Sequence, residues 1–492
     1  MFLGIDLGTS ACKLLLIDAK GKVLASVSKT YPVNYFNQNW AEQNPEDWWK
    51  GVKEGIEDIM KGVDRSQLRS ISFSGQMHGL VILDKDNKVI RPAILWCDQR
   101  TQKECDYLNN DIGTHKMLNW TGNIALTGFT APKLFWVKNN EPENFKKINK
   151  VLLPKDYIAF KLSGEFTSDV SDASGTVYFD VKKRKYSSEM IDLIGLKPDS
   201  FPKVYESYEA VGKILPELAS EMNLPSSVLI VAGAGDQAAG AVGTGAVEEG
   251  IISVALGTSG VVFAPNDAFT LDKKHALHSF AHASGQWHQM GVILSAASCL
   301  KWWVEDVNGT KDYDLLLSEA EKVPAGSERL FFVPYLIGER TPHNDPNAKG
   351  CFIGLNVSHK RGNMTRAVLE GVAFALRDTL ELLKESGISA KEIIISGGGS
   401  KGKIWNQIVA DVFSSNVKTL VSNEGPAYGA ALLAAVGAGE FSSVKEACSS
   451  CVNYLENFTP DSAKVVDYNR YYEVYRSLYD TLKSTFAKIS AL

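Results

Sequence analysis

The tetrapeptide Leu-Gly-Thr-Ser occurs twice, at residues 7–10 and 256–259, each time at the end of a short apolar run. The two copies stand about half the chain apart. A strand running into a tight Gly-Thr/Ser turn aims backbone N–H groups and a hydroxyl at a phosphate. Two such turns in related halves predict a duplicated chain that grips one polyphosphate from both sides. Only the first copy has an acid in front: Asp6 stands in Ile5-Asp6-Leu7-Gly8-Thr9-Ser10, where the second has Ala255. That acid marks the half expected to handle a metal.

Further apolar, β-branched runs lie at 2–6, 13–17, 70–74, 93–96, 151–153, 228–232, 252–256, 260–263, 392–396 and 417–421. Helical patterns fall between many of them. In 365–386, Val368, Leu369, Val372, Leu376, Leu380 and Leu383 recur at three- and four-residue intervals, and Gly387 ends the run. Strands alternating with such helices predict an α/β fold with substantially parallel sheets. The Gly-containing stretch 244–251 near the midpoint divides the chain into expected domains 1–245 and 246–492. At the C-terminus, Tyr468, Tyr471, Tyr475, Leu478, Leu482 and Phe486 predict a helix over 467–486 that packs an aromatic stripe on a domain. With no low-complexity linker, the halves are expected to be tightly joined around a cleft.

Net charge is −5 over 492 residues, and 45% of these are hydrophobic. That balance excludes a nucleic-acid or acidic-membrane surface as the main partner, and the Lys-Lys-Arg-Lys run at 182–185 is too short to change it. Residues 1–6 read directly as a strand, with no charged leader and no apolar stretch of spanning length, so the cytoplasm is the expected compartment. Seven scattered cysteines fit free thiols in a reducing environment. Cys448 and Cys451 have redox spacing, but on a helix that spacing merely shares a face.

Three elements carry chemistry. The first is Asp6-x-Gly8-Thr9-Ser10-x-x-Lys13, in which Asp6 is placed to hold Mg²⁺; Lys13 either touches phosphate or begins a second strand facing solvent, and the second reading is preferred. The next is the Gly- and Ala-rich stretch Val231 to Gly243, where Asp236 and Gln237 are the only bulky side chains between Ala232 and Ala241. Asp236 reads either as a helix N-cap or as an acid at a cleft mouth that accepts a proton from a substrate hydroxyl. A helix N-terminus favours its ionised form, so it is expected to be a weak base. The third element, Ile393 to Ser396 followed by Gly397-Gly398-Gly399, offers bare backbone to the flat face of an adenine or ribose. No full Walker motif is present.

Longer motifs identify a family. Gly128-Phe-Thr-Ala-Pro-Lys133-Leu-Phe-Trp136-Val-Lys-Asn-Asn140, and Gly350-Cys-Phe-Ile-Gly354-Leu355 followed by Asn363-Met-Thr-Arg-Ala-Val-Leu-Glu370, resemble the two patterns of the FGGY carbohydrate kinases. Within it, Gly75-Gln-Met77-His78-Gly79, Ile94-Leu-Trp96-Cys-Asp98-Gln-Arg100, Leu152-Leu-Pro-Lys-Asp156-Tyr157, Ser168 to Thr176, Leu294 to Leu300 and Gly338-Glu-Arg340-Thr-Pro-His343 resemble the ketopentose branch. The resemblance runs from about residue 1 to about residue 440.

It implies an actin-like, ribonuclease H-like fold of two duplicated domains closing on ATP and sugar. The implied reaction is phosphorylation of D-xylulose at O5, with ribulose, gluconate or glycerol as rival substrates and an actin-like ATPase as a rival class. The resemblance makes Asp236 the general base and Asp6 the residue positioning Mg²⁺-ATP. Gly8, Thr9 and Ser10 join Gly257 and Thr258 around the phosphates, and Gly398 and Gly399 face adenosine. Met77 and His78 contact sugar, joined by Asp98 and Gln237. Trp96 is either a stacking wall for the sugar or plain core. Gln237 stands where some members carry Asn, which clouds sugar selectivity. Members of the family are often dimers, which leaves a homodimer open.

Overall fold

The computed structural model describes residues 1–492 except Gln38 and Asn423. Among the described residues, two seven-stranded mixed sheets dominate. The first uses Phe2–Leu7 (β1), Ala11–Ile17 (β2), Val23–Thr30 (β3), Ser70–Gly75 (β4), Ala210–Lys213 (β5) and Leu229–Val231 (β6), in the order β5-β6-β4-β1-β2-β3, with Ala234–Gly235 as a short extra pairing on β4. The second uses Ile251–Leu256 (β7), Gly260–Asn266 (β8), His278–Ala281 (β9), Trp287–Ile293 (β10), Glu392–Ser396 (β11), Asn416–Leu420 (β12) and Tyr454–Phe458 (β13), in the order β13-β12-β11-β7-β8-β10-β9. Strand for strand, β5-β6-β4-β1-β2-β3 matches β13-β12-β11-β7-β8-β10. The duplication read from the repeated tetrapeptide is a duplication of whole sheets.

Parallel pairing is confined to the centre of each sheet, β6-β4-β1 with the short Ala234–Gly235 pairing on β4, and β12-β11-β7. The outer pairs are antiparallel, which corrects the expectation of substantially parallel sheets. The reason lies in the repeated turn itself: three residues between β1 and β2, or between β7 and β8, permit only an antiparallel return.

Seven helices matter for the site. Pro45–Ile59 (α1) starts with Asn44 accepting from the Glu46 amide and Pro45 in the first turn, and buries Trp48, Val52, Ile56 and Ile59 on the first sheet. The others are Pro154–Ser163 (α2), Asp236–Thr244 (α3), Arg361–Glu385 (α4), Lys403–Phe413 (α5), Pro426–Gly437 (α6) and Ser462–Ser490 (α7). In α4 all six predicted apolar positions are buried, and the helix ends just before Gly387, at a φ of +89°. In α7, Tyr468, Tyr475 and Phe486 are buried as expected, but Tyr472 rather than Tyr471 completes the stripe, its hydroxyl donating to Asp378 (2.7 Å).

The helix α6 comes from the second half yet lies on the first sheet. It is apolar on every side, and all its residues from Ala427 to Val436 are buried, as expected of a helix enclosed on all faces. It covers β1 and β4 and crosses α3 with backbone almost touching backbone. A Cβ built on Gly429 would sit 1.8 Å from the Ala239 carbonyl oxygen, and one on Gly4 of β1 would sit 2.2 Å from that of Ala427. Cys448 and Cys451 pack as free thiols on the same interlobe core. The halves also meet elsewhere: the buried cluster around Met77 and Phe129 packs on Phe263, Phe280 and Met290 of the second sheet.

Because the clash at Gly429 is with backbone, no side chain can yield to relieve it. Gly429→Ala is expected to lower the free energy of unfolding by about 2 kcal/mol or more, measured by denaturant titration against the wild-type chain. A loss below about 0.5 kcal/mol would mean that the helices separate easily.

Candidate active site

Register places the acids. Asp6 in β1 lies opposite Lys13 on β2 and Ser74 on β4, and Ser74 lies opposite Ala234, two residues before Asp236. The chain leaves β6 at Val231, steps back in to pair Ala234 and Gly235 with β4, and begins α3 at Asp236. Ser74 Oγ donates to Asp6 Oδ1 (2.9 Å). Asp236 is the first residue of the helix, not its N-cap: that place belongs to Gly235, which offers no side-chain hydrogen bond. The capping reading of Asp236 therefore falls.

The ionisation expected of Asp236 also needs correction. Burial, then the charge of Asp6, pushes its carboxyl up from 3.8 to about 7, against a weak contact from Gln237 Nε2 (3.4 Å). A helix N-terminus contributes about 0.3–1 kcal/mol in favour of the anion, less than one pKa unit, and here desolvation and a like charge win. Asp6 is raised by burial too, with Ser74 and Lys13 pulling the other way. Lys13, on β2 and with a third of its side chain exposed, ion-pairs with Glu424 of the second half.

The turn after β1 is braced from outside. Tyr31 donates to the Gly8 carbonyl (2.6 Å), Gln43 to the Thr9 carbonyl (2.7 Å), and Trp96 Nε1 to Thr9 Oγ1 (3.0 Å). Its duplicate is held by Ala297 N–H on Gly257 O (2.8 Å), with Ala296 N–H and Ser298 Oγ on Thr258 O. All these braces take carbonyls or hydroxyls. The amides of Thr9, Ser10 and Thr258 have no acceptor among the described residues. Thr258, Gly398 and Gly399 line one cavity of about 1110 Å³, walled on its apolar side by Leu300, Tyr313 and Leu317.

On the first lobe, Met77 and His78 form a shelf beside Asp236. Met77 is buried so close to Gly235 that a Cβ there would meet its side chain at 2.9 Å. His78 is held with φ at +70°. Its Nδ1 lies 2.8 Å from the Gly175 carbonyl, which can only accept, so Nδ1 carries the proton and Nε2 is an acceptor. Burial and the nearby Lys133 keep the ring neutral, well below the ordinary range. Lys133 itself clamps the carbonyls of His78 (2.8 Å) and Gly128 (2.7 Å), and burial pushes it down to about 7. It was not read as a site residue, although it stands in the first family motif.

Trp96 is 42% exposed, with its indole N–H on Thr9, so it is not core. Gln237 is half-buried beside Asp236. Asp98 does not join them. It is fully buried, accepts from the Ala41 amide (2.7 Å), and is bound on both oxygens by the Arg100 guanidinium, which stacks 3.8 Å from the Trp40 ring. Its charge bears on Lys133, the clamp of the His78 carbonyl.

Residues 1–243 match the N-terminal domain of the FGGY family of carbohydrate kinases, and residues 252–438 match its C-terminal domain. The chain is 40% identical over 484 residues to the xylulose kinase of Escherichia coli K12, covering 98% of this chain and 99% of that one. It superposes with TM-score 0.92 on a crystal structure described as a xyloylose kinase from Brucella ovis, at 39% identity over 98% of this chain and 99% of the other. A gluconate kinase from Lactobacillus acidophilus superposes with TM-score 0.93 at 27% identity, over 99% of both chains.

The raised carboxyl has a stability consequence. Below about pH 4 Asp236 is protonated in both the folded and the unfolded chain, and its burial costs nothing extra. As pH rises to about 7 the unfolded chain ionises it freely while the fold resists, so the cost grows and is complete above pH 7. Asp236→Asn should therefore raise Tm at pH 8 and leave it unchanged at pH 4. Equal effects at both pH values would show that Asp236 is not held neutral by the fold.

Proposed function

From the premise that the chain belongs to the FGGY family of carbohydrate kinases, we propose that it transfers the γ-phosphoryl group of ATP to O5 of D-xylulose, giving D-xylulose 5-phosphate and ADP in the cytoplasm. The observation that carries this reading is the placement of Asp236, a carboxyl titrating near neutrality, directly beside the Met77–His78 shelf. A general base is most effective when its pKa lies near the working pH. At or above pH 7, Asp236 takes the proton of the sugar hydroxyl as the hydroxyl oxygen attacks phosphorus. In a loose transition state that proton leaves late, so a modest base suffices.

The neutral His78 accepts a sugar hydroxyl at Nε2, Met77 supports the carbon skeleton, and Trp96 closes the wall between sugar and the first turn. Thr9, Ser10, Gly257 and Thr258 offer amides to the phosphates, with Gly8 giving the turn its shape. Gly398 and Gly399 take the adenosine, whose flat face meets Leu300 and Tyr313. Asp6 is the residue fitted to Mg²⁺. Its second oxygen has no donor among the described residues, its carboxyl is half-buried, and no cluster of three metal-ligating side chains competes for the ion among those residues. A hard dication held by one or two carboxylates plus substrate oxygens is the usual arrangement for Mg²⁺ in such sites. When bound, the ion offsets charge on the phosphoryl oxygens. Closure of the lobes about α3 and α6 excludes water and aligns the hydroxyl with the phosphate.

ADP release should be followed with Mg²⁺-ATP over D-xylulose, L-xylulose, D-ribulose, L-ribulose, gluconate and glycerol. Preference for D-xylulose is expected. A gluconate preference would keep the fold and replace the substrate, while ADP release without sugar dependence would favour an ATPase.

Asp236→Ala should lower kcat by at least about a hundredfold while both ligands still bind. Near wild-type turnover would remove Asp236 from the base role. In the wild type, kcat/KM for the sugar should rise with unit slope up to about pH 7 and then level off, since only the ionised carboxylate can accept the proton.

A further inference from the structure

Beneath the turn that carries Asp236 lies a charge cluster closed to solvent. Lys155, near the start of α2, places Nζ 2.7 Å from Asp156 Oδ1, 2.8 Å from Asp169 Oδ1 and 3.8 Å from Asp172 Oδ2, and none of the four side chains is more than 1% exposed. One cation therefore serves three acids. A buried ion cluster is a poor source of stability, because apolar residues of the same volume often do as well or better. Its connections point to a different use.

Asp169 Oδ2 accepts from the hydroxyls of Ser171 and of Ser207, the latter at 2.7 Å. Ser171 Oγ in turn accepts from the Gly235 amide (3.1 Å), the N–H of the Ala234–Gly235 peptide one residue before Asp236. Gly235 supplies no side-chain cap to α3; among the described residues Ser171 is the side chain that hydrogen-bonds this backbone, beside its pairing with β4. From below, Lys155 abuts the end of β4: a Cβ on Gly75 would lie 2.9 Å from its Cβ. Asp172 adds a second link. Neither of its oxygens has a hydrogen-bond donor, and Asp236 is among the charges that bear on it.

We propose that Lys155, Asp169 and Ser171 form a positioning relay that fixes the Ala234–Gly235 peptide, and through it the Asp236 carboxyl, against the Met77–His78 shelf. Lys155 anchors Asp169, Asp169 orients the Ser171 hydroxyl, and that hydroxyl holds the peptide. None of the three touches substrate. The inference rests on the reading of Asp236 as the base. Reaction geometry is sensitive on the scale that such a relay controls, since a displacement of about 1 Å can cost about a hundredfold in rate.

Ser171 and Ser207 give a matched pair for the test. Both side chains are fully buried, both donate to the same Asp169 oxygen, and only Ser171 reaches the Gly235 amide. In the full-length enzyme, Ser171→Ala is expected to lower kcat about tenfold, with KM for ATP and for D-xylulose within about twofold of wild type. Ser207→Ala is expected to shift Tm by a similar amount and to leave kcat within about twofold. Equal kcat values in the two variants, whether both lowered or both intact, would overturn the relay, as would a loss confined to KM. If Ser171→Ala does not fold, Ser171→Cys, which keeps the volume and weakens the hydrogen bond, takes its place, and kcat equal to that of Ser207→Ala overturns the relay in the same way. Asp236→Ala, measured alongside, separates the two ideas. If it retains turnover the base reading fails, whereas an inactive Asp236→Ala with matched serine variants refutes the relay alone.

Discussion

The contact between α3 and α6, backbone on backbone through Gly429 and Ala239, is the constraint on which the remaining architecture depends. The two helices are equivalent members of the duplicated unit: α3 follows β6, α6 follows β12, and β6 and β12 hold corresponding places in their sheets. Their crossing joins the lobes along an apolar seam of small side chains, including Ala238, Ala239, Val242, Ala427, Ala431 and Ala435. Small residues let the axes approach closely, and close packing makes the seam stiff across its width.

What the crossing fixes, electrostatics then exploits. The helix start that carries Asp236 is pressed against β4, one strand from β1 and Asp6. Two carboxyls held this near one another in a half-enclosed cleft cannot both ionise at low cost, and the penalty falls on Asp236. The same pressure leaves His78 and Lys133 biased toward neutrality. Burial thus disfavours charge on three groups at the floor of the site, Asp236, His78 and Lys133. Near and above pH 7 the fold gives up stability to keep the Asp236 carboxyl there.

Much of this was legible in residue order. The repeated Leu-Gly-Thr-Ser turns, the six buried positions of α4 and the strand at 392–396 follow from local pattern, because neighbours in sequence decide them. The placement of α6 was not legible: its apolar residues face every direction, so no periodicity says which sheet it covers. Asp236 was recognised as an acid at a helix start, but its proton affinity depends on Asp6, which is more than two hundred residues away in the chain and adjacent only after three strands are in register. Asp98 misled for a related reason. It was read from its own segment, whereas Arg100 and the Ala41 amide decide what the side chain does.

The asymmetry between the two halves follows from the same registers. In the first sheet Asp6 faces Lys13 on one side and Ser74 on the other; in the second, Ala255 takes the place of Asp6, facing Val261 and Ser396. Each sheet sets a serine at this point, Ser74 or Ser396, while the charged pair of the first is an apolar pair in the second. After β6 the chain enters α3 through Asp236, and after β12 it enters α6 through Pro426. Both acids of the site thus belong to one copy, and the other copy keeps the phosphate turn and the glycines without them. A single phosphoryl group between the lobes can be attacked from one side only, and a second acidic set facing the nucleotide would repel its phosphates. Two turns of the same sequence thus flank one cleft, and acids set beside only one of them give it a direction.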